Sequence, residues 1–232
     1  MKLPPDRSLK QALSSVDSSW AQLLGETRKK YFQILWTRLR AEAENQKLTP
    51  SLQLVFSAFR LPLTSVRVVI LGQDPYPTAG RAVGRAFAAA DDAHPMPPSL
   101  RNIFNEVARC CGGMPKSRTL NGWQEQGVLL LNVCLTTRVG ASASHHRLGW
   151  QQFTDRALQL IGEKSGPVVY LLWGKQAQKK SVLIRPRPGH HVLSAAHPAY
   201  AYQGFAGCGH FTEANRLLSD AGMAPIDWAR SS

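Results

Sequence analysis

Four short apolar runs, at residues 66–71, 128–131, 168–173 and 192–195, constrain this chain more than any other feature. Each is four to six residues long, too short for a buried helix, and each ends in a loop signal. Fully apolar runs of that length predict strands buried on both faces, as in a mostly parallel sheet. Helical periodicities lie between them at residues 99–110, 149–161 and 176–183, and another comes after them at 211–221. Strand and helix in alternation specify an α/β fold. The expected architecture has three layers: a central four-stranded, mostly parallel sheet flanked by helices. Upstream, Asp17 is placed to cap an amphipathic helix, or two, within residues 20–44, and a short helical pattern covers 52–59. Residues 1–15 are polar and are expected to be loosely held. The 232 residues read as a single domain.

The residues directly after each predicted strand carry the chemistry. The first strand runs into Gly72-Gln73-Asp74-Pro75-Tyr76-Pro77, the second into Asn132, the third into Gly174-Lys175 and the fourth into His197-Pro198. Ligands bind outside the carboxyl ends of strands in open α/β sheets. Asp74, Asn132, Lys175 and His197 are therefore expected in one cleft. A carboxylate there orients water or stabilises a developing cation, and an imidazole donates to a leaving group that turns negative. A carboxamide, with one donor and one acceptor side, reads a planar amide-like ligand. Each residue also has a structural reading: Asp74 as a helix cap, Asn132 as a turn cap, His197 as a packing residue before proline. There is no nucleophile elbow, no Gly-rich phosphate loop and no second carboxylate partner.

Net charge is +13, from 28 Lys+Arg against 15 Asp+Glu. A surplus of this size fits a polyanion, either nucleic acid or an anionic membrane. No apolar run approaches the roughly 20 residues of a membrane span. Residues 1–10 lack the apolar stretch of a secretory signal, so an intracellular and, by default, bacterial cytoplasmic setting is expected. Cys110, Cys111, Cys134 and Cys208 form no C-x-x-C pair and are expected to be reduced thiols, with no metal site.

Taken together, the motifs resemble family 1 uracil-DNA glycosylases over nearly the whole chain. Gly72-Gln73-Asp74-Pro75-Tyr76 is similar to that family's water-activating loop, and Gly127 through Asn132 to its strand ending in the uracil-reading Asn. Pro97-Pro98-Ser99-Leu100 resembles its DNA-compressing loop, and Gly204-Phe205 through Phe211 the stretch after its His-Pro loop. The resemblance implies a monomeric enzyme, free of metal and cofactor, that flips uracil from single- or double-stranded DNA and hydrolyses the N-glycosidic bond. It implies that Phe87 stacks on the base, that Tyr76 excludes a 5-methyl group, and that Asn132 and the Gln73 N–H bind the base edge. By the same resemblance Asp74 positions water and stabilises an oxocarbenium-like sugar, while His197 bonds O2 of the departing anion. Pro97, Pro98, Ser99, Gly174, Lys175, Pro198 and Tyr200 fall at DNA-contacting positions. DNA-mimicking inhibitor proteins are further implied partners.

Three departures stand out. Pro77 replaces the family's usual His, and Lys175 its usual Ser. The family's His-Pro-Ser-Pro-Leu-Ser becomes His197-Pro198-Ala199-Tyr200-Ala201, about two residues shorter before Gly204. Ala201 is too small to fill the gap left by a flipped base, and Tyr200 is the substitute wedge. This altered loop keeps a second reading open: a weakly active or inactive member that binds uracil- or abasic-DNA.

Overall fold

The computed structural model describes residues 7–45, 47–184 and 186–230. Its helices and strands are, in chain order, α1 (Arg7–Leu13), α2 (Ala21–Glu26), α3 (Lys30–Asn45), β1 (Leu48–Thr49), β2 (Val68–Gly72), α4 (Pro98–Cys111), α5 (Asn121–Gln124), β3 (Val128–Asn132), β4 (Thr137–Arg138), α6 (Trp150–Gly162), β5 (Val168–Trp173), α7 (Lys175–Gln178), β6 (His190–Ala195) and α8 (His210–Asp220).

All four apolar runs are strands, and they form one parallel sheet in the order β3-β2-β5-β6. Because side chains alternate along a strand, each inner strand feeds two cores at once. Val69 and Leu71 of β2 pack with α1, α2, α3 and α6 on one face. Val68 and Ile70 pack with α4, α5 and α8 on the other. That double burial is why residues 68–71, 128–131 and 168–173 carry no charged position, and Arg67 stands just before β2. The expected three-layer arrangement is what forms.

The structure departs from expectation in four places. β6, at one edge of the sheet, is only partly covered, and Val192 stands 41% exposed, whereas β3 at the other edge is buried throughout. Residues 7–13, expected to be loosely held, form α1, whose Ala12 is fully buried against the core with Leu9 and Leu13 beside it. Residues 1–6 lie outside the described residues. The pattern at 52–59 makes two 3₁₀ turns, Leu52–Leu54 and Ser57–Arg60, rather than one helix. A two-stranded antiparallel pair, β1 with β4, was not legible because each strand is two residues long. Asp17 does cap, accepting from the Ser19 N–H at 2.9 Å.

All six tryptophans are buried, and each indole N–H finds an acceptor, Trp36 on Ser8 Oγ at 3.3 Å. Trp20 donates to Leu61 O, Trp123 to Trp228 O, Trp150 to Thr136 Oγ1, Trp173 to His210 Nδ1 and Trp228 to Phe211 O. The Trp123, Phe211 and Trp228 rings, 4.9–5.7 Å apart, staple the C-terminal segment to the sheet.

Burial pushes the imidazoles of His145, His190, His197 and His210 below their ordinary value of 6.5. The folded state thus binds fewer protons than the unfolded chain once pH falls toward and below that value. Stability therefore falls with acidification through this window, before any carboxylate titrates. The denaturant midpoint is expected to drop between about pH 7.5 and 5.5. A midpoint that holds or rises would mean the buried histidines gain protons in the fold.

Candidate active site at the sheet's switch point

Chain winding reverses between β2 and β5: β3 lies on one side of β2, and β5 and β6 on the other. A reversal leaves a crevice at the carboxyl ends of the two central strands. A cleft of about 740 Å³ opens there, lined by Asp74, Tyr76, Phe87, Asn132, Lys175 and His197 among others. The four residues expected to converge do so.

The parallel register sets Gly72 opposite Asn132. A Cβ at Gly72 would collide with Asn132 Oδ1 and lie 2.9 Å from Ala86 Cβ. Glycine therefore lets the Asn132 side chain lie across the end of β2. That side chain is 5% exposed and faces the cleft. No group among the described residues satisfies its amide, which leaves a donor and an acceptor for a ligand. β3 continues pairing past its end, with Val133 N–H on Gly72 O at 3.0 Å and Cys134 N–H on Gln73 O at 2.9 Å. Since the Gly72 carbonyl points at β3, the Gln73 N–H of the same trans peptide points the other way, into the β2–β5 crevice.

Asp74 is held by one oxygen. Its Oδ2 accepts from Ser142 Oγ at 2.8 Å and from the Ala143 N–H at 2.7 Å. Ala143 takes a positive φ of 62° to present that N–H. Oδ1 has no partner among the described residues. Neither Ser142 nor Ala143 was found by reading the sequence, because a run of small residues after a strand signals only a loop.

Tyr76 is equally fixed. Its hydroxyl donates to Phe87 O at 2.9 Å and so accepts from Ser99 Oγ, also at 2.9 Å. Burial drives its phenol well above the ordinary range, so it remains neutral. Phe87 adopts a φ of 61°, and its ring sits 5.4 Å from that of Trp173 and 5.7 Å from that of His197. One face of the cleft is thus aromatic.

His197 caps the 3₁₀ turn Pro198–Gln203, its Nδ1 accepting from the Ala199 N–H at 3.1 Å. An accepting Nδ1 places the ring proton on Nε2. Burial lowers its pKa against a smaller upward pull from Asp74, so the ring is a neutral Nε2–H donor. Gly174, at φ 89° and ψ 160°, allows the close approach: a Cβ there would fall 2.9 Å from His197 Cβ.

The residues expected at the DNA surface divide. Lys175, Pro98 and Tyr200 are exposed, with Tyr200 at 60%, and Gly174 is half-buried. Pro97, Ser99 and Pro198 are buried. Ser99 faces inward because it lies on the core side of α4, and its hydroxyl is taken by Tyr76. Pro198 O is taken by Asn102 Nδ2 at 2.8 Å. Cys110, Cys111, Cys134 and Cys208 are free thiols. Among the described residues, no group of three or more His, Cys, Asp or Glu side chains could hold a metal ion, and no helix is long and apolar enough to cross a membrane.

The model of the uracil DNA glycosylase superfamily matches residues 59–219, which include every strand of the main sheet and every residue named above in the cleft. The chain belongs to that superfamily. A uracil-DNA glycosylase of Aeromonas hydrophila is 46% identical over 217 residues, covering 90% of this chain and 97% of the relative. One from Agathobacter rectalis is 39% identical over 221 residues, covering 93% and 98%. Among solved structures, mimivirus uracil-DNA glycosylase superposes with a TM-score of 0.84 at 25% identity, over 95% of this chain and 89% of that one. A variant of the mimivirus protein, solved in complex with UGI, gives 0.85 at 25% identity over 95% and 91%.

In this superfamily member a side chain at position 72 has no room between Asn132 and Ala86. Gly72→Ala is expected to destabilise the fold by about 1–3 kcal/mol through overpacking. It is also expected to cut activity by turning the Asn132 amide. A variant with wild-type melting temperature and activity would show that the end of β2 has room for a methyl group.

Proposed function

We infer that this chain is a monofunctional uracil-DNA glycosylase of base excision repair, hydrolysing the bond between uracil and deoxyribose in DNA to leave an abasic site. The observation that carries the reading is the pairing of an Asp74 carboxylate, held by one oxygen, with a neutral His197 imidazole whose Nε2–H is free for the cleft. By the same reading the enzyme acts as a monomer.

A base stacked in DNA must leave the stack before a protein side chain reaches its glycosidic bond. The extruded uracil lies on Phe87, and Asn132 pairs with its O4 and N3–H while the Gln73 N–H supplies a further bond. Cytosine presents the reverse donor pattern, and leaving the buried amide mispaired costs roughly 1–3 kcal/mol. Tyr76 stands where a 5-methyl group would project. Its two hydrogen bonds hold the ring so that it does not swing aside.

As the bond stretches, positive charge grows on the sugar and negative charge on the base. Asp74 Oδ1 stabilises the first and positions the attacking water, with Oδ2 anchored on the loop at Ser142. His197 Nε2–H donates to uracil O2 as it becomes anionic. A neutral donor suits this role because its proton stays with it and its lone pair is already engaged by Ala199. Outside the cleft, Lys175 and the +13 charge supply salt-sensitive attraction to phosphates. Tyr200 takes the wedge position, and DNA-mimicking proteins such as UGI would compete for the same face.

Uracil release from a labelled oligonucleotide in EDTA tests the assignment. His197→Gln is expected to lower kcat about 10²–10³-fold, the range for loss of one preorganised donor. Asp74→Asn is expected to abolish most of the rest. Binding of uracil-DNA without release by the wild-type protein would favour a binding role instead. Tyr200→Ala is expected to lower release from duplex while sparing the single strand; equal losses on both would remove Tyr200 from the wedge position.

A further inference from the structure

The loop at residues 199–206 carries the two most exposed tyrosines: Tyr200 at 60% and Tyr202 fully open to solvent. Its first part is the 3₁₀ turn Pro198–Gln203, closed by the Gly204 N–H on Ala201 O. Tyr200 N–H reaches His197 O, and Phe205 and Ala206 N–H both turn back to Ala201 O. Phe205 is fully buried, 5.1 Å from the Trp173 ring, which fixes how deep the loop sits but not how its tip is aimed.

Both ends of this loop are gripped by one face of α4. Asn102 and Glu106, four residues apart, lie one above the other on that helix. Asn102 Nδ2 donates to Pro198 O at 2.8 Å, just before the loop. Glu106, 2% exposed, receives the Gly207 N–H at 2.8 Å on one oxygen and the Gly209 N–H at 3.0 Å on the other, just after it. Arg109 closes the arrangement with bonds to both Glu106 oxygens at 2.9 and 2.7 Å. A buried carboxylate with four N–H donors is fully satisfied and strongly directional. Burial by itself would push its carboxyl up, yet Arg109 and the two glycine N–H groups outweigh this and hold it at about 2. The clip is therefore charged across the whole assay range.

We propose that Glu106, with Asn102, is a positioning residue for duplex substrates: the α4 clip aims the tyrosine-bearing loop at DNA without touching the cleft. A residue that fills the space of an extruded base must be held against the recoil of the stack, whereas a single strand offers no stack to resist. Because Leu-sized bulk at the loop tip is replaced here by tyrosines on a shorter loop, their aim depends on where the two ends are fixed. Asn102 and Glu106 are the side chains that fix them. This rests on the reading of the loop as the element that faces duplex DNA.

The test uses the full-length protein and the variants Glu106→Gln and Asn102→Ala, the second being the milder change should the first fold poorly. Gln keeps the size but cannot accept both glycine N–H groups and satisfy Arg109. Two readouts are taken. Cleavage by chymotrypsin under native conditions, after Tyr200 or Tyr202, reports the loop without DNA. The ratio of duplex to single-strand kcat/KM reports its use. Both variants are expected to speed cleavage and to lower duplex kcat/KM roughly ten- to a hundredfold, the scale of an ångström-level misplacement. Single-strand activity is expected to stay within about twofold of wild type. Glu106→Asp, which restores the charge on a shorter arm, is expected to recover part of the ratio. Unchanged cleavage would overturn the clip. Faster cleavage with an unchanged ratio would overturn its role on duplex DNA, and Tyr200→Ala then separates the causes. If that variant still lowers duplex activity, the clip is at fault; if it does not, the reading of the loop itself fails.

Discussion

Everything in the cleft depends on one contact, the Asn132 side chain lying across Gly72. It exists because two parallel strands end in register and one of them ends in a residue without a side chain. From that point the consequences run outward along the main chain. Pairing continues for two residues beyond the strands, so the Gly72 and Gln73 carbonyls are fixed by Val133 and Cys134. The next loop is launched in one direction, and Asp74 arrives where Ser142 and Ala143 can take one of its oxygens. None of these groups needs a flexible segment to find its place. Each is referenced to a sheet whose inner strands are buried on both faces, which is the stiffest part of such a molecule.

The electrostatics of the cleft stem from the same placement. The surface carries a large positive surplus, yet the chemical groups themselves are one carboxylate and one neutral ring. The neutrality of His197 has two separate causes. Burial disfavours its charged form, and the Ala199 N–H occupies the nitrogen that would take the second proton. A charged ring would bind anions in the ground state as well as in the transition state, and uniform binding of that kind does not lower the barrier. A fixed neutral donor strengthens its bond as charge develops on its partner. Long-range attraction to phosphate is thereby assigned to the surface, and discrimination in time along the reaction to the interior.

How much of this was legible in the sequence divides along physical lines. The sheet was visible because burial on both faces leaves an unbroken apolar run, and the cleft because chemistry-bearing residues stand directly after such runs. β6 misled in part, since it is apolar at Val192 and Leu193 and yet only partly covered. The hydrogen bonds that hold Asp74 were invisible: a serine and a backbone N–H, 68 and 69 positions away in sequence, leave no pattern. Ser99 and Pro198 were expected at the DNA surface from the resemblance, and in the fold both are buried, the Ser99 hydroxyl on Tyr76 and the Pro198 carbonyl on Asn102. The close packing at Gly72 and Gly174 was equally hidden, because a glycine in a sequence announces freedom and not the neighbour that requires it.

The departures from the family pattern sit at positions that the core does not determine. Pro77, Lys175 and residues 199–201 all lie beyond strand ends, at the rim, while the groups pinned by main-chain pairing keep the family's identity. Loops tolerate change because their side chains are not required to fill space. A loop that must still meet a partner in one geometry needs its constraint from elsewhere. Here that constraint is one face of α4, with a carboxylate that stays charged in the working range and a carboxamide one turn away. Asp74, Asn132 and His197 thus take their places from the strand ends, while the aim of the loop is set by Asn102 and Glu106 of α4, a helix that also fixes Tyr76 through Ser99. Sequence can drift in the loop between them without disturbing either anchor.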